Sequence, residues 1–334
     1  MFKQFYMIFV SLSYFLLFFF SPYFFYWFIV KGIIYGGLMM KTLLIAYVIY
    51  LLVDYFVYHS TWDGNGSIIL RSRYFVGIIR DYFPVEIRKT AELAPNRNYV
   101  LAHFPHGILT LALSINLLFD LNPYLRLFPG IGPKVATLNV NFCTPILREL
   151  LRIFGYVPSS KQALLHYLNK SNNPKHPDNS DGLTSYMIAI SVGGVQEAVQ
   201  TKTGQYTIVL KERKGFVKLA IQMGSSIVTS FGFGEVDIYT LLDKTWLRPL
   251  QGLYKKMFRY APLLFVGRGG TILPYKKKLA LVVGSPTNVK RTTNPDPAYV
   301  DEIHAQVVEA VYKLFETYKS EYLENSNDIQ LVVN

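Results

Sequence analysis

Cysteine is almost absent from this 334-residue chain. Cys143 is the only one, so no internal disulfide framework can form, and a reducing compartment suits the sequence. The N-X-S/T sites at Asn65 and Asn169 are then expected never to meet the glycosylation machinery. Charge is scarce at the front: from Phe5 to Tyr58 it is confined to Lys31, Lys41 and Asp54. Familiar chemical signatures are missing too. No G-x-S-x-G nucleophile elbow, G-x-x-x-x-G-K-[ST] phosphate loop or H-E-x-x-H metal helix occurs, and no metal is expected. The net charge of +12 comes with no basic helix face, zinc spacing or RNP-like segment, which argues against a nucleic-acid partner. No repeat of fixed period is present.

What the front holds instead is apolar. Runs such as "YFLLFFF" and "TLLIAYVIYLLV" fill it, and a membrane span needs roughly 20 such residues. The stretch has room for two spans, at about 5–30 and 33–57, split at Lys31–Gly32. This predicts a membrane-embedded helical hairpin over residues 1–58, entering and leaving by one face. A cleaved signal peptide fits poorly, because Lys3 is the only early positive charge and no small-x-small site follows. Arg71, Arg73, Arg80, Arg88 and Lys89 follow the hairpin, and Lys255–Lys256, Arg259 and Lys276–Lys278 come later. Basic residues beside apolar spans place them on the cytosolic side, facing anionic headgroups.

Residues 59–334 read as one α/β domain. Candidate strands are 98–104, 134–139, 187–192, 206–211, 226–231 and 279–284. Candidate helices are 108–120, 145–154, 161–169, 215–223, 240–258 and 297–323. Alternation at this spacing predicts a mostly parallel sheet flanked by helices. The last helix is the clearest element. Asp296 caps it, Pro297 suits its first position, and Val300, Ile303, Val307, Val311, Leu314 and Tyr318 share one face. The polar stretch 169–182 reads as a surface loop.

One short segment looks out of place. "HFPHG", 103–107, sets two imidazoles and a Pro-Gly turn between an apolar strand and an apolar helix. His106 would fall just past the carboxyl end of strand 98–104, the edge where open α/β sheets bind ligands. A histidine there can take a proton from an alcohol. Amides at or near Gly107, following Pro105, can face a developing oxyanion. Strand "YMIAISV" ends in "GGVQEA", which brings Gly193, Gly194 and Glu197 to the same edge if the two strands run parallel. A carboxylate beside an imidazole fixes its tautomer, so Glu197 is expected to orient His106. His59, His166, His176 and His304 sit singly and receive no role. Cys143 reads as a small buried thiol rather than an acyl acceptor.

Several segments together resemble the type 2 diacylglycerol acyltransferases, with their monoacylglycerol acyltransferase and wax synthase relatives. "YFP" (82–84), "FPHG" (104–107), "FPGIGP" (128–133), "LREL" (147–150), "VGGVQEAV" (192–199), "RKGFVKLAIQMGSSIV" (213–228), "FGFGE" (231–235), "LPY" (273–275) and "VVGSP" (282–286) occur in the family's order. Two positions depart from the pattern. Phe104 stands where the family has the first histidine of H-P-H-G, and His103 is one place upstream, so it points to the opposite face. Thr229 follows Val228 where a proline is usual.

The resemblance implies a glycerolipid-acyltransferase-like fold and transfer of an acyl group from acyl-CoA, as co-substrate, to mono- or diacylglycerol. The reaction would occur at the endoplasmic reticulum membrane and lipid droplet, with the domain facing the cytosol. No metal or redox cofactor is needed, because a thiol (pKa ~8.5) leaves readily. His106 remains as the base. Arg213 and Lys214, ahead of a helix starting near Gly215, offer positive charge for the phosphates of coenzyme A, and Arg268 in "VGRGG" is a further candidate. The rivals are a wax-ester synthase, an inactive lipid-droplet scaffold, which Phe104 favours, and a lysophospholipid acyltransferase. The last is disfavoured because neither histidine begins an H-x-x-x-x-D pattern.

Overall fold

The computed structural model describes residues 21–62, 79–119, 121–170, 172, 183–242, 249 and 265–334. The first part of the expected span 5–30, the basic residues 71, 73, 255, 256 and 259, Asn65, His176 and most of the loop 169–182 lie outside these. So does nearly all of the expected helix 240–258.

The apolar front forms α1 (Ser21–Tyr35) and α2 (Leu38–Val53), and α2 runs on as a π-helical turn to Tyr58. Leu38–Tyr58, 21 residues with a mean hydropathy of 1.7, is long and apolar enough to cross a membrane; Phe24–Tyr35 is apolar but shorter. The break falls at Gly36–Gly37, not at the expected Lys31–Gly32. One glycine costs a helix only about 1 kcal/mol, so Gly32 is carried through, whereas the doublet ends the helix. No residue of Leu38–Val53 is buried, but Asp54 just beyond is 3% exposed. Its carboxylate is ion-paired with Arg148, itself 2% exposed.

The α/β part begins with β1 (Val85–Lys89), β2 (Tyr99–Phe104), the short α3 (Leu111–Ser114) with a π-helical continuation to Phe119, α4 (Leu121–Leu127) and β3 (Ile131–Thr137). There follow α5 (Leu147–Phe154), β4 (Tyr156–Pro158), α6 (Lys161–Leu168), β5 (Ser185–Ser191), α7 (Gly194–Ala198), β6 (Tyr206–Ile208), α8 (Gly215–Met223) and β7 (Ser226–Phe233). The chain continues through β8 (Thr240–Leu241), β9 (Phe265–Val266), β10 (Leu279–Thr287), α9 (Pro297–Tyr322) and β11 (Leu331–Val333). Seven strands make one sheet in the order β1-β10-β7-β2-β5-β3-β4. Every pairing is parallel except β10 with β7.

The sheet is covered on both faces. Val100, Ala102, Phe104, Ile188, Ile227 and Phe231 pack with α6, α8 and α9. Tyr99, Leu101, Met187, Ala189 and Val228 pack with the 111–119 segment, α4 and α5. Alternate residues of β2 therefore enter different cores, as its period of two requires. On α9 the expected stripe is met: Val300, Ile303, Val307, Val311 and Leu314 are buried, with Tyr318 packed at the edge, and Asp296 accepts from the N–H of Ala298 at 3.3 Å.

Several sequence expectations are corrected. Strand 206–211 is shorter and lies outside the main sheet, because its partner is β11 rather than a central strand. Strand 279–284 extends to Thr287 and runs antiparallel to its neighbour β7. Thr240–Leu241, expected as the start of a helix, forms a strand with Phe265–Val266. Strands β1, β4 and β11 were not anticipated; each is three to five residues long, too short for a clear periodicity.

Candidate active site

Parallel neighbours end at the same edge. Strands β5, β2 and β7 lie side by side, with His103 in register with both Ser191 and Ser230. The chain therefore leaves all three strands close together: into 105–110 after β2, into 192–198 after β5, and into 234–237 after β7. Each exit carries a titratable residue: His106, Glu197 and Glu235 respectively.

Glu197 is 2% exposed. One carboxylate oxygen accepts the main-chain N–H of His106, and the other accepts the N–H of Val209 at 2.9 Å. The two are neighbours, as the parallel reading required, but the contact is with the peptide rather than the ring. The ring is oriented otherwise: His106 Nδ1 lies 3.0 Å from the Gly107 carbonyl. A carbonyl only accepts, so Nδ1 carries the proton and Nε2 holds a lone pair. His106 is half-buried, and burial lowers its pKa from the usual 6.5, keeping the ring neutral at pH 7.

Glycines make room for these carboxylates. A Cβ on Gly193 would lie 1.9 Å from Glu197 Oε2, whereas one on Gly194 (φ +55°) would meet nothing. Gly107 has φ +59°, and a Cβ there would sit 2.6 Å from Glu235 Cγ. Pro105, whose peptide with Phe104 is cis, is buried with Gly107.

Glu235 was not foreseen. Fully buried, it accepts the N–H groups of Leu111 and Ala112 at 2.7 and 2.6 Å. This corrects one expectation. The helix expected from 108 starts at Leu111, because Gly107 and Thr110 (φ +50°) hold left-handed backbone before it. Its first amides are occupied by a carboxylate; the amides expected to face an oxyanion, at or near Gly107, are other groups. The signal was present in "FGFGE", an acidic residue one glycine past the end of β7, as Glu197 follows the Gly193–Gly194 turn after β5.

His103 and Phe104 take structural places. His103 is fully buried with Nδ1 3.1 Å from Ser230 Oγ, and Nε2 has no partner among the described residues. Burial, aided by nearby His106, lowers its pKa to about 3. Phe104 is sealed in the opposite core with Phe231 and Phe315. His106 alone of the pair reaches the edge.

Of the basic candidates, Arg213 donates to Gln196 Oε1 at 2.8 Å, one residue before Glu197, and its charge acts on that carboxylate. Lys214, which precedes Gly215 at the start of α8, is ion-paired with Asp301 of α9 at 2.8 Å. Arg268 lies in an exposed turn and reaches the hydroxyl of Tyr82 in "YFP". The charges are thus brought to different parts of the surface. Cys143 is exposed rather than buried.

Comparison with known proteins gives the family. The family described as "Diacylglycerol acyltransferase" matches residues 37–334. Human diacylglycerol O-acyltransferase 2-like protein 6 is 36% identical over 275 residues, covering 79% of this chain and 76% of its own length. Acyl-CoA wax alcohol acyltransferase 1 of Mus musculus is 35% identical over 286 residues, covering 83% and 82%. Human 2-acylglycerol O-acyltransferase 3 is 34% identical over 287 residues, covering 82% and 79%. The chain belongs to the diacylglycerol acyltransferase family and is an enzyme, an acyltransferase of lipid biosynthesis.

Proposed function

We propose that this enzyme transfers an acyl group from acyl-CoA to the hydroxyl of a mono- or diacylglycerol, with His106 as general base. His106 Nε2 takes the hydroxyl proton as the acceptor oxygen bonds to the thioester carbonyl carbon. The carbon–sulfur bond then breaks, and the imidazolium returns its proton to the coenzyme A thiolate. The supporting observation is the fixed tautomer of a half-buried ring at a shared strand edge. Because Glu235 occupies the amides of Leu111 and Ala112, the oxyanion donors belong to the turn 107–109.

Arg213, beside Glu197 and bonded to the neutral Gln196 amide, is the best placed of the basic residues to meet coenzyme A phosphate; Lys214 would have to leave an ion pair with Asp301, and Arg268 lies with Tyr82 in an exposed turn. The apolar Leu38–Tyr58 helix and the basic flanks support an anchor in the endoplasmic reticulum membrane or a lipid droplet, the domain facing the cytosol. An acceptor dissolved in the bilayer is then concentrated at the site.

The test uses membranes carrying the full chain and labelled acyl-CoA. His106→Ala should lower ester formation by roughly 10²–10⁴-fold at unchanged expression, and full activity in that variant ends the assignment. An acceptor panel of mono- and diacylglycerol, a long-chain alcohol and lysophosphatidate should favour the glycerides. A clear preference for the alcohol or the lysophospholipid would replace this reading.

A further inference from the structure

The tail "NSNDIQLVVN" matched no motif, yet it reaches the machinery around His106. Strand β11 lies parallel to β6, with Leu331 opposite Tyr206, Val332 opposite Thr207 and Val333 opposite Ile208. Leu331 and Val333 are 7% and 6% exposed, and Val332, pointing outward, is 48% exposed. The Asn334 N–H donates to the Ile208 carbonyl at 2.9 Å. The Asn334 carbonyl accepts the N–H groups of Leu210 and Lys211 at 2.8 and 2.9 Å. Among the described residues β6 has no other strand partner.

Val209 sits between these anchored residues, and its N–H holds Glu197 at 2.9 Å. Glu197 in turn holds the main-chain N–H of His106. Leu210 is fixed from a second side by the buried His304, whose Nε2 lies 2.9 Å from its carbonyl. A histidine without a sequence-level role thus braces the same segment.

We propose that Leu331, Val333 and Asn334 are positioning residues for acyl transfer. By pairing with 206–211 they fix Val209, and through Val209 and Glu197 they fix the peptide that carries the base. A lone strand of three residues does not hold its own place, and a shift of about 1 Å in a reacting group can cost 10²-fold in rate. The proposal rests on His106 being the base.

The test compares Leu331→Asp/Val333→Asp, which puts charge into the buried face, with Val332→Asp on the exposed face. Hydrogen exchange at Val209, Leu210 and Lys211 reports whether the tail has left. With the tail displaced, kcat should fall by on the order of 10²-fold, while KM for acyl-CoA stays within about twofold. Adding the peptide IQLVVN should restore kcat by β-augmentation, and Val332→Asp should change neither quantity. If the double variant does not fold, Asn334→Pro, which removes the donor to Ile208 and restricts the backbone at Val333, should still lower kcat about fivefold. Rapid exchange at Leu210 and Lys211 with unchanged kcat overturns the proposal, as does wild-type kcat in an Asn334→Pro chain that exchanges rapidly there. His106→Ala separates the two ideas. If it is inactive while a displaced tail leaves kcat intact, only the positioning role of the tail is lost; if it is active, the base assignment itself falls.

Discussion

Glu197 and Glu235 grip the same turn from opposite ends. Each is buried, each lies just past the end of a parallel strand, and each gives both oxygens to main-chain N–H groups. They differ in what else they hold. Glu197 binds the peptide of His106 itself and ties it to Val209, whereas Glu235 binds Leu111 and Ala112 and so starts a helix. His106 is therefore held by a carboxylate through its backbone, not through its ring. The difference assigns rate chiefly to Glu197 and fold chiefly to Glu235.

Substituting each by its amide would break or sharpen that contrast. In Glu197→Gln one acceptor oxygen becomes an NH2 facing the N–H of His106 or Val209. Above pH 7, where Glu197 is ionised, losing a hydrogen bond to a charged group costs about 1.5–3 kcal/mol, so kcat should fall roughly ten- to a hundredfold, less than in His106→Ala. If the two glutamine variants lose activity equally, the division of labour is wrong. Gly193→Ala should approach the same loss, because its Cβ would lie 1.9 Å from Glu197 Oε2. Gly194→Ala meets no atom and carries only the left-handed backbone penalty of about 1–2 kcal/mol, so its kcat should stay near wild type.

Glu235→Gln should act mainly on stability. The same donor-to-donor conflict at Leu111 or Ala112 is expected to destabilise the fold by about 1–3 kcal/mol, seen as a lower apparent Tm, with a kcat loss smaller than that of Glu197→Gln. A tenfold loss of kcat at unchanged Tm would contradict it.

The sheet and this edge were legible in the sequence to different degrees. The α9 stripe, β2, β5 and α8 follow from period and caps alone. His106 and Glu197 were readable as neighbours because parallel strands end together. What Glu197 touches was not readable, because a carboxylate can satisfy either a ring or a peptide, and only the turn geometry of Gly107 decides between them. Glu235 escaped for a related reason: its partners, Leu111 and Ala112, are apolar residues whose contribution is purely main-chain. The partnership of Asp54 with Arg148 crosses 94 residues and leaves no local pattern. β11 is too short to read without β6 beside it.

The last contrast is in pH dependence, and its sign separates the two carboxylates from His106. Burial raises Glu197 to about 7 and Glu235 to about 8, against the lowering by their amide donors. An unfolded glutamate titrates near ~4.3, so between that value and 7–8 the folded chain binds more protons than the unfolded one. Stability from these groups is therefore full below about pH 4.3, declines as pH rises, and is gone once pH has passed 7 for Glu197 and 8 for Glu235. His106 runs the other way: with its pKa below 6.5, the neutral base accumulates as pH rises, so kcat should climb with an inflection on the acid side of neutrality and then level off. Apparent Tm should decline with rising pH up to about 8, in the opposite direction to kcat. The part of the decline that ends near pH 8 should be lost in Glu235→Gln and the part that ends near pH 7 in Glu197→Gln, with the kcat inflection still present in Glu235→Gln. An apparent Tm rising from pH 6 to 9 in the wild type would show that these carboxylates enter the fold charged, and that their amide donors outweigh burial.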